Sequence, residues 1–291
     1  MTSIIETFSE ISDKYDALFV DLWGCMHNGV SAYPEAVAAM RKYRASGGLV
    51  VMVTNSPQPR AGVVAQLSRI GVPDDTYDLI ATSGDSARAA MFQGVAGKKV
   101  WFMGIWERDA AFFDPMRIVR NPVIIERVSL EYAEGIVCCG PFDPLLAPEA
   151  HGEDFADAIK RGLKLLCANP DVVVDRGNIR HYCAGSLAQL YTRLGGESLY
   201  FGKPHPPIYD LARKRLDSLG MDEKKRAILA IGDGIGTDIR GANAEKIDSL
   251  FVSGGLAAAQ TKTTANPCRD ALHRFLEREN TYPTYTIGRL R

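Results

Sequence analysis

The feature that most constrains this chain is a set of short apolar runs, at 17–20, 49–53, 99–103, 136–139, 163–167, 227–231 and 249–252, separated by stretches of helical patterning. Apolar runs bounded by turn residues and alternating with helices build βαβ units. Their near-continuous apolarity is that of strands buried on both faces of a parallel sheet. The expected class is α/β, with a doubly wound parallel sheet at its core. Pro34 opens a helical stretch to Arg44 that stops at Ser46-Gly47-Gly48, after which 49–53 reads as a strand. At 291 residues the chain is longer than one hydrophobic core comfortably fills, so a core with a sizeable insertion is expected.

In open sheets of this kind ligands bind outside the carboxyl ends of the strands, so chemistry is sought just after each run. Four positions stand out: Asp21, Thr54, Lys203 and Asp233. Leu18-Phe19-Val20-Asp21-Leu22-Trp23-Gly24 delivers a carboxylate to a strand end and then turns through a glycine. A buried carboxylate needs a metal or a cation beside it, although an Asp after a strand also serves as a turn cap. Val53-Thr54-Asn55-Ser56 places a hydroxyl, an amide and backbone N–H groups where phosphoryl oxygens could be held, and it equally resembles a plain turn. Gly202-Lys203-Pro204-His205-Pro206 fixes one lysine before a helix beginning near Pro207, which suits a point charge against a phosphoryl group. Ile231-Gly232-Asp233-Gly234-Ile235-Gly236-Thr237-Asp238 is a strand end, a glycine-rich turn with two carboxylates and a helix start. Hard oxygen donors held by a turn are what Mg²⁺ requires. A dinucleotide-binding fingerprint fails there, because Thr237 stands where a small residue is needed.

Taken in order, Asp after a first strand, Thr after a second, Lys before a helix and Gly-Asp with a second Asp five residues on resemble the four motifs of the haloacid dehalogenase-like hydrolases. The resemblance covers nearly the whole chain. It narrows to the branch with a large α/β cap between the second and third motifs, the NagD-like and 4-nitrophenylphosphatase-like proteins, supported by Ala168-Asn169-Pro170-Asp171 and Ala184-Gly185-Ser186-Leu187. It implies a Rossmann-like core of residues 1–83 and 183–291 and an inserted cap of residues 84–182. It also implies that Asp21 is the nucleophile of a Mg²⁺-dependent phosphatase acting through an aspartyl-phosphate. The metal would be held by Asp21, the backbone carbonyl of Trp23 and Asp233, with Asp238 in support. Thr54, Asn55 and Ser56 would bind phosphoryl oxygens, Lys203 would pair with nucleophile and phosphoryl group, and Asn169, Asp171 and the 175–181 stretch would select the substrate.

One position departs from the family pattern. Phosphatases of this kind usually carry a second Asp two residues after the nucleophile, where this chain has Trp23. An indole exchanges no proton at neutral pH, so general acid–base assistance, typically worth roughly 10²–10⁴-fold, is lost. Three readings stay open: a phosphatase that is slow or restricted to good leaving groups, with His27 or the substrate as proton source; carbon–phosphorus or carbon–halogen chemistry; or a non-catalytic phosphate-ligand sensor. His27 reads either as an exposed loop residue or as one facing the site.

Composition narrows the partners. A formal net charge of −1, from 34 basic and 35 acidic residues, leaves no electrostatic footprint for nucleic acid or anionic lipid, so a small phosphorylated metabolite is the expected partner. No run reaches transmembrane length, and residues 1–10 lack a basic segment followed by an apolar one, so a cytoplasmic location is expected. Capped relatives often self-associate, which makes a homo-oligomer compatible with the resemblance. The six cysteines show no CxxC pair or metal spacing and read as small hydrophobes.

Overall fold

The computed structural model describes residues 2–116, 119–176, 179–220 and 227–291. The chain clusters into two compact units, Met1–Thr54 with Val64–Ala81 and Tyr209–Arg291 in the first, and Asn55–Val63 with Thr82–Ile208 in the second. Among the described residues no helix is long and apolar enough to cross a membrane.

The first unit carries a seven-stranded sheet in the order Ser3–Ile4, Tyr285–Ile287, Asp248–Val252, Ile228–Gly232, Ala17–Val20, Leu49–Thr54, Leu79–Thr82. Every pairing from the Ser3–Ile4 edge to Leu49–Thr54 is parallel. From the central Ala17–Val20 strand the chain runs outward on one side and later returns on the other. The order therefore reverses between Ala17–Val20 and Ile228–Gly232, and the crevice of a doubly wound sheet opens at their carboxyl ends. Val20 pairs with Ile231, so Asp21 and Asp233 leave the sheet at nearly the same level.

Helix Pro34–Ala45 forms as its sequence dictates: Pro34 fixes the first turn, and Ala36, Val37, Met40 and Tyr43 make the buried stripe. Gly47, at φ 95°, then reverses the chain into Leu49–Thr54. On the far side, helix Arg269–Glu279 packs Leu272, Phe275 and Leu276 against Phe251 and Ile239.

The second unit has a five-stranded parallel sheet, Glu197–Tyr200, Lys164–Cys167, Gly135–Cys138, Lys99–Met103, Glu126–Arg127, and a separate antiparallel hairpin of Val173–Arg176 and Ile179–Tyr182. Alternate residues of the central strands feed two cores. Ile136, Cys138, Leu165 and Cys167 meet Phe155, Leu187 and Tyr191 on one face. Val137, Cys139 and Leu166 meet Ala87, Met91 and Phe112 on the other. Four buried cysteines, Cys138, Cys139, Cys167 and Cys183, are used here as apolar residues. Burial pushes the Cys167 thiol up to about 12.

Helix Ala184–Arg193 and strand Glu197–Tyr200 lie in this second unit, past residue 182, the cap end that the resemblance implies. The physical reason is register: Glu197–Tyr200 pairs in parallel with Lys164–Cys167, and Leu187 and Tyr191 complete the core beneath it.

Candidate active site

Asp21 continues the ladder for one more residue, its N–H donating to the Ile231 carbonyl at 2.8 Å. The chain then folds back on itself. Gly24 adopts φ 77°, a left-handed conformation that glycine takes without steric cost. Met26 N–H donates to the Leu22 carbonyl (2.8 Å), and Gly24 N–H to that of His27 (2.9 Å). Gly24 also leaves room for Asp233, since a Cβ at residue 24 or at Gly255 would collide with the Asp233 Oδ2. The same oxygen accepts the Leu256 N–H at 2.9 Å.

Asp233 sits in a turn of unusual geometry. The Ile239 N–H reaches back five residues to the Gly234 carbonyl (3.2 Å), a π-type turn of the kind found at functional sites. Asp238 Oδ2 accepts the Gly234 N–H (3.1 Å) and the Thr237 hydroxyl (3.4 Å), so this carboxylate braces the loop that carries Asp233. A Cβ on Gly232 would strike Asp238, which accounts for the glycine before Asp233.

Asp21, Asp233 and Cys25 are all buried, and one ligand atom from each lies within 4.8 Å of the other two. Two carboxylates this close and shielded from water repel each other unless a cation lies between them. The oxygen donors match the preference of Mg²⁺, and the space kept by Gly24 and Gly255 fits a held carboxylate, so the residues present suit that ion. Sequence reasoning missed Cys25. A cysteine in an apolar loop reads as packing, and only its place four residues beyond Asp21 could have drawn attention to it.

Trp23 and His27 form the outer side of this loop. The indole lies over Gly29, where any Cβ would strike its six-membered ring. The imidazole is 2% exposed rather than on the surface, and its Nδ1 accepts the Gly29 N–H at 3.0 Å. Burial lowers its pKa to about 4. The ring is therefore neutral at pH 7, with its hydrogen on Nε2.

In the second unit the other expected residues are tied together by backbone contacts. The Asn55 amide accepts the Lys203 N–H on Oδ1 (2.7 Å) and donates from Nδ2 to the Lys203 carbonyl (3.1 Å) and to Asp171 Oδ1 (2.8 Å). Both amide hydrogens are thus engaged within the unit, and Asn55 acts as a strut between the 55, 171 and 203 segments. Asn169 Oδ1 accepts the Asp171 N–H at 3.0 Å. Gly202 packs so closely that a Cβ would meet Asn55, Pro170 and Ser83. Lys203 is 4% exposed. Ser56 Oγ accepts the Gln58 N–H (3.3 Å), and its carbonyl accepts the Gly84 N–H (3.0 Å). Of the 175–181 stretch, residues 177 and 178 lie outside the described residues. Thr54 ends its strand in the first unit and is buried.

The turn after Asp21 also borders a cleft of about 390 Å³ in the first unit, lined by Gly24, Cys25, Tyr33, Glu35, Gly254 and Arg289 among others. Burial pushes the Tyr33 phenol up, Arg289 pulls it down, and Asp233 and Cys25 add to the rise.

Comparison with known proteins gives the following. Residues 18–113 match the haloacid dehalogenase-like hydrolase family, and residues 200–275 the HAD-hydrolase-like family. A haloacid dehalogenase-like hydrolase from Brucella suis 1330 is 36% identical over 99% of this chain and 100% of its own, with a TM-score of 0.83. D-glycerol 3-phosphate phosphatase of Mycobacterium tuberculosis is 27% identical over 265 residues, 89% of this chain and 69% of that protein. The crystal structure of a glycerol phosphate phosphatase from M. tuberculosis in complex with magnesium is 24% identical, covering 88% of this chain and 71% of its own, at a TM-score of 0.60.

Proposed function

Because the chain belongs to the haloacid dehalogenase-like hydrolases and has the fold of their NagD-like and 4-nitrophenylphosphatase-like branch, we propose that it hydrolyses small phosphomonoesters with good leaving groups, in a Mg²⁺-dependent reaction through Asp21. The observation that carries this reading is the pair of buried carboxylates, Asp21 and Asp233, at the point where the sheet order reverses.

Bound between these carboxylates, Mg²⁺ would neutralise the charge that otherwise keeps a carboxylate from a phosphate dianion. Asp21 attacks phosphorus in line; its oxygen gains the new P–O bond as the leaving-group oxygen departs with the electrons of the old one. Water then cleaves the aspartyl-phosphate, releasing inorganic phosphate and restoring the carboxylate. Asp21 and Asp233, with the Trp23 carbonyl, are the ligands this reading assigns, and Asp238 holds the loop. Thr54, Ser56, Lys203 and the backbone N–H of Asn55 are assigned to the phosphoryl group, and Asn169 and Asp171 to the substrate, from the order of the motifs; the Asn55 side chain, with both amide hydrogens engaged, holds the 171 and 203 segments instead.

The restriction to good leaving groups follows from the loop after Asp21. Trp23 has no transferable proton. With a pKa of about 4, His27 is protonated in roughly one molecule in a thousand at pH 7. Neither residue protonates an alkoxide, whereas a phenolate departs unaided.

The test is Mg²⁺-dependent phosphate release from 4-nitrophenyl phosphate, with glycerol phosphate as the alkyl comparison. Release that is faster on the aryl ester and lost in Asp21→Asn is expected. A tightly bound phosphorylated ligand with no turnover at any pH would favour the sensor reading.

A further inference from the structure

Cys25 differs from the other buried cysteines. Cys138, Cys139 and Cys167 pack among apolar side chains of the second unit's sheet, whereas the Cys25 sulfur lies with the oxygens of Asp21 and Asp233, all three within 4.8 Å of one another. Its side chain is 1% exposed, yet the residue borders the 390 Å³ cleft, which gives small ions a way in. Gly24 and Gly255 keep the space in which Asp233 is held.

The donor set decides which ion such a cluster prefers. Two carboxylates alone suit hard Mg²⁺, which binds thiolate poorly. Adding a sulfur turns the cluster into a mixed S,O,O set of the kind that favours zinc, whose ligands converge tetrahedrally at about 2.0–2.3 Å. We propose that Cys25 is a third ligand for zinc-class divalent cations, so that Zn²⁺ captures the centre together with Asp21 and Asp233 and silences it. The thiol proton passes to solvent as the S–Zn bond forms. A tetrahedral zinc held by three protein ligands keeps a single open position, where octahedral Mg²⁺ on two carboxylates keeps several for the phosphoryl group and waters, so the substrate is no longer seated for attack by Asp21. The inference rests on the proposed placement of a divalent ion between Asp21 and Asp233.

Cobalt(II) added to the full chain under a non-thiol reductant separates the two ideas, because bound cobalt shows weak visible bands with any ligand set and a near-ultraviolet charge-transfer band only with thiolate. The wild-type chain and Cys268→Ser should show both, and Zn²⁺ should abolish both by displacement. Cys25→Ser and Cys25→Val should keep the visible bands and lose the charge-transfer band, with Zn²⁺ affinity in chelator competition falling by more than the roughly 10–100-fold that loss of a group merely hydrogen-bonded to a ligand costs. Visible bands without charge transfer in the wild type, or a band that survives both Cys25 variants, would overturn the role of Cys25 while leaving the carboxylate centre intact. Cobalt binding that is absent, or indifferent to Asp21→Asn and Asp233→Asn, would remove the centre itself and the inference with it.

Discussion

Trp23 and His27 meet edge to face, their ring centroids 5.5 Å apart and their planes at 76°. The indole and the loop backbone shut the imidazole off from water and hold its pKa at about 4, below the roughly 6.5 of a free histidine. As pH falls, the unfolded chain takes up this proton first, so the stabilising contribution is complete above about pH 6.5 and is lost progressively toward pH 4, on the order of 2–3 kcal/mol. Urea unfolding at pH 7 and pH 5 should show roughly half of the full loss, and His27→Gln should flatten it. The rate profile between pH 6 and 8 should carry no step from His27.

Replacing Trp23 by Asp restores a group able to protonate a leaving alkoxide. We expect Trp23→Asp to raise turnover of glycerol phosphate by roughly 10²-fold or more, with a much smaller effect on 4-nitrophenyl phosphate. Loss of the ring that covers Gly29 should lower stability by about 1–3 kcal/mol. Equal changes on the two esters would count against a missing acid.

Gly24 is placed under two demands at once, a φ of 77° and the proximity of the Asp233 carboxylate. Gly24→Ala should cost about 1–2 kcal/mol from the backbone alone. It should also displace Asp233, so the rise in melting temperature expected for the wild type in Mg²⁺ should be absent from the variant. An unchanged Mg²⁺ shift in a folded variant would contradict the close packing.

In the second unit, Asp85 and Arg88 form a buried ion pair at 3.0 Å, and the guanidinium also donates to the carbonyls of Phe112 (2.9 Å) and Asp114 (2.6 Å). Asp85→Asn or Arg88→Met leaves the other charge buried without its partner and should cost about 3–5 kcal/mol. The double variant should recover part of that loss. Denaturant unfolding monitored in this unit checks it, and a cost below about 1 kcal/mol for either single variant would show that the pair is dispensable.

Much of the first unit was legible in the chain. The apolar run at 17–20, Pro34 and Gly47 each state a local preference that nothing distant overrides, and the carboxylates after two strands announce themselves by position. The edge strands Ser3–Ile4 and Tyr285–Ile287 were not legible, because two or three residues take their strand character from a partner far along the chain. Glu197–Tyr200, within the range the resemblance gives to the core, pairs in the second unit's sheet for the same reason: a short strand does not encode which sheet it joins. Thr54-Asn55-Ser56 has the composition of any turn, and the role of Asn55 as a strut exists only once residues 171 and 203 are beside it. Cys25 was hidden because burial next to carboxylates and burial among apolar groups look alike in sequence.

The account stands on a divalent ion lying between Asp21 and Asp233, and anomalous diffraction from crystals soaked in Mn²⁺, which shares the preference of Mg²⁺ for oxygen ligands, tests it most directly. The predicted result is a peak between the two carboxylates that is lost in Asp233→Asn. A peak elsewhere in the molecule, or one that persists in that variant, would contradict it.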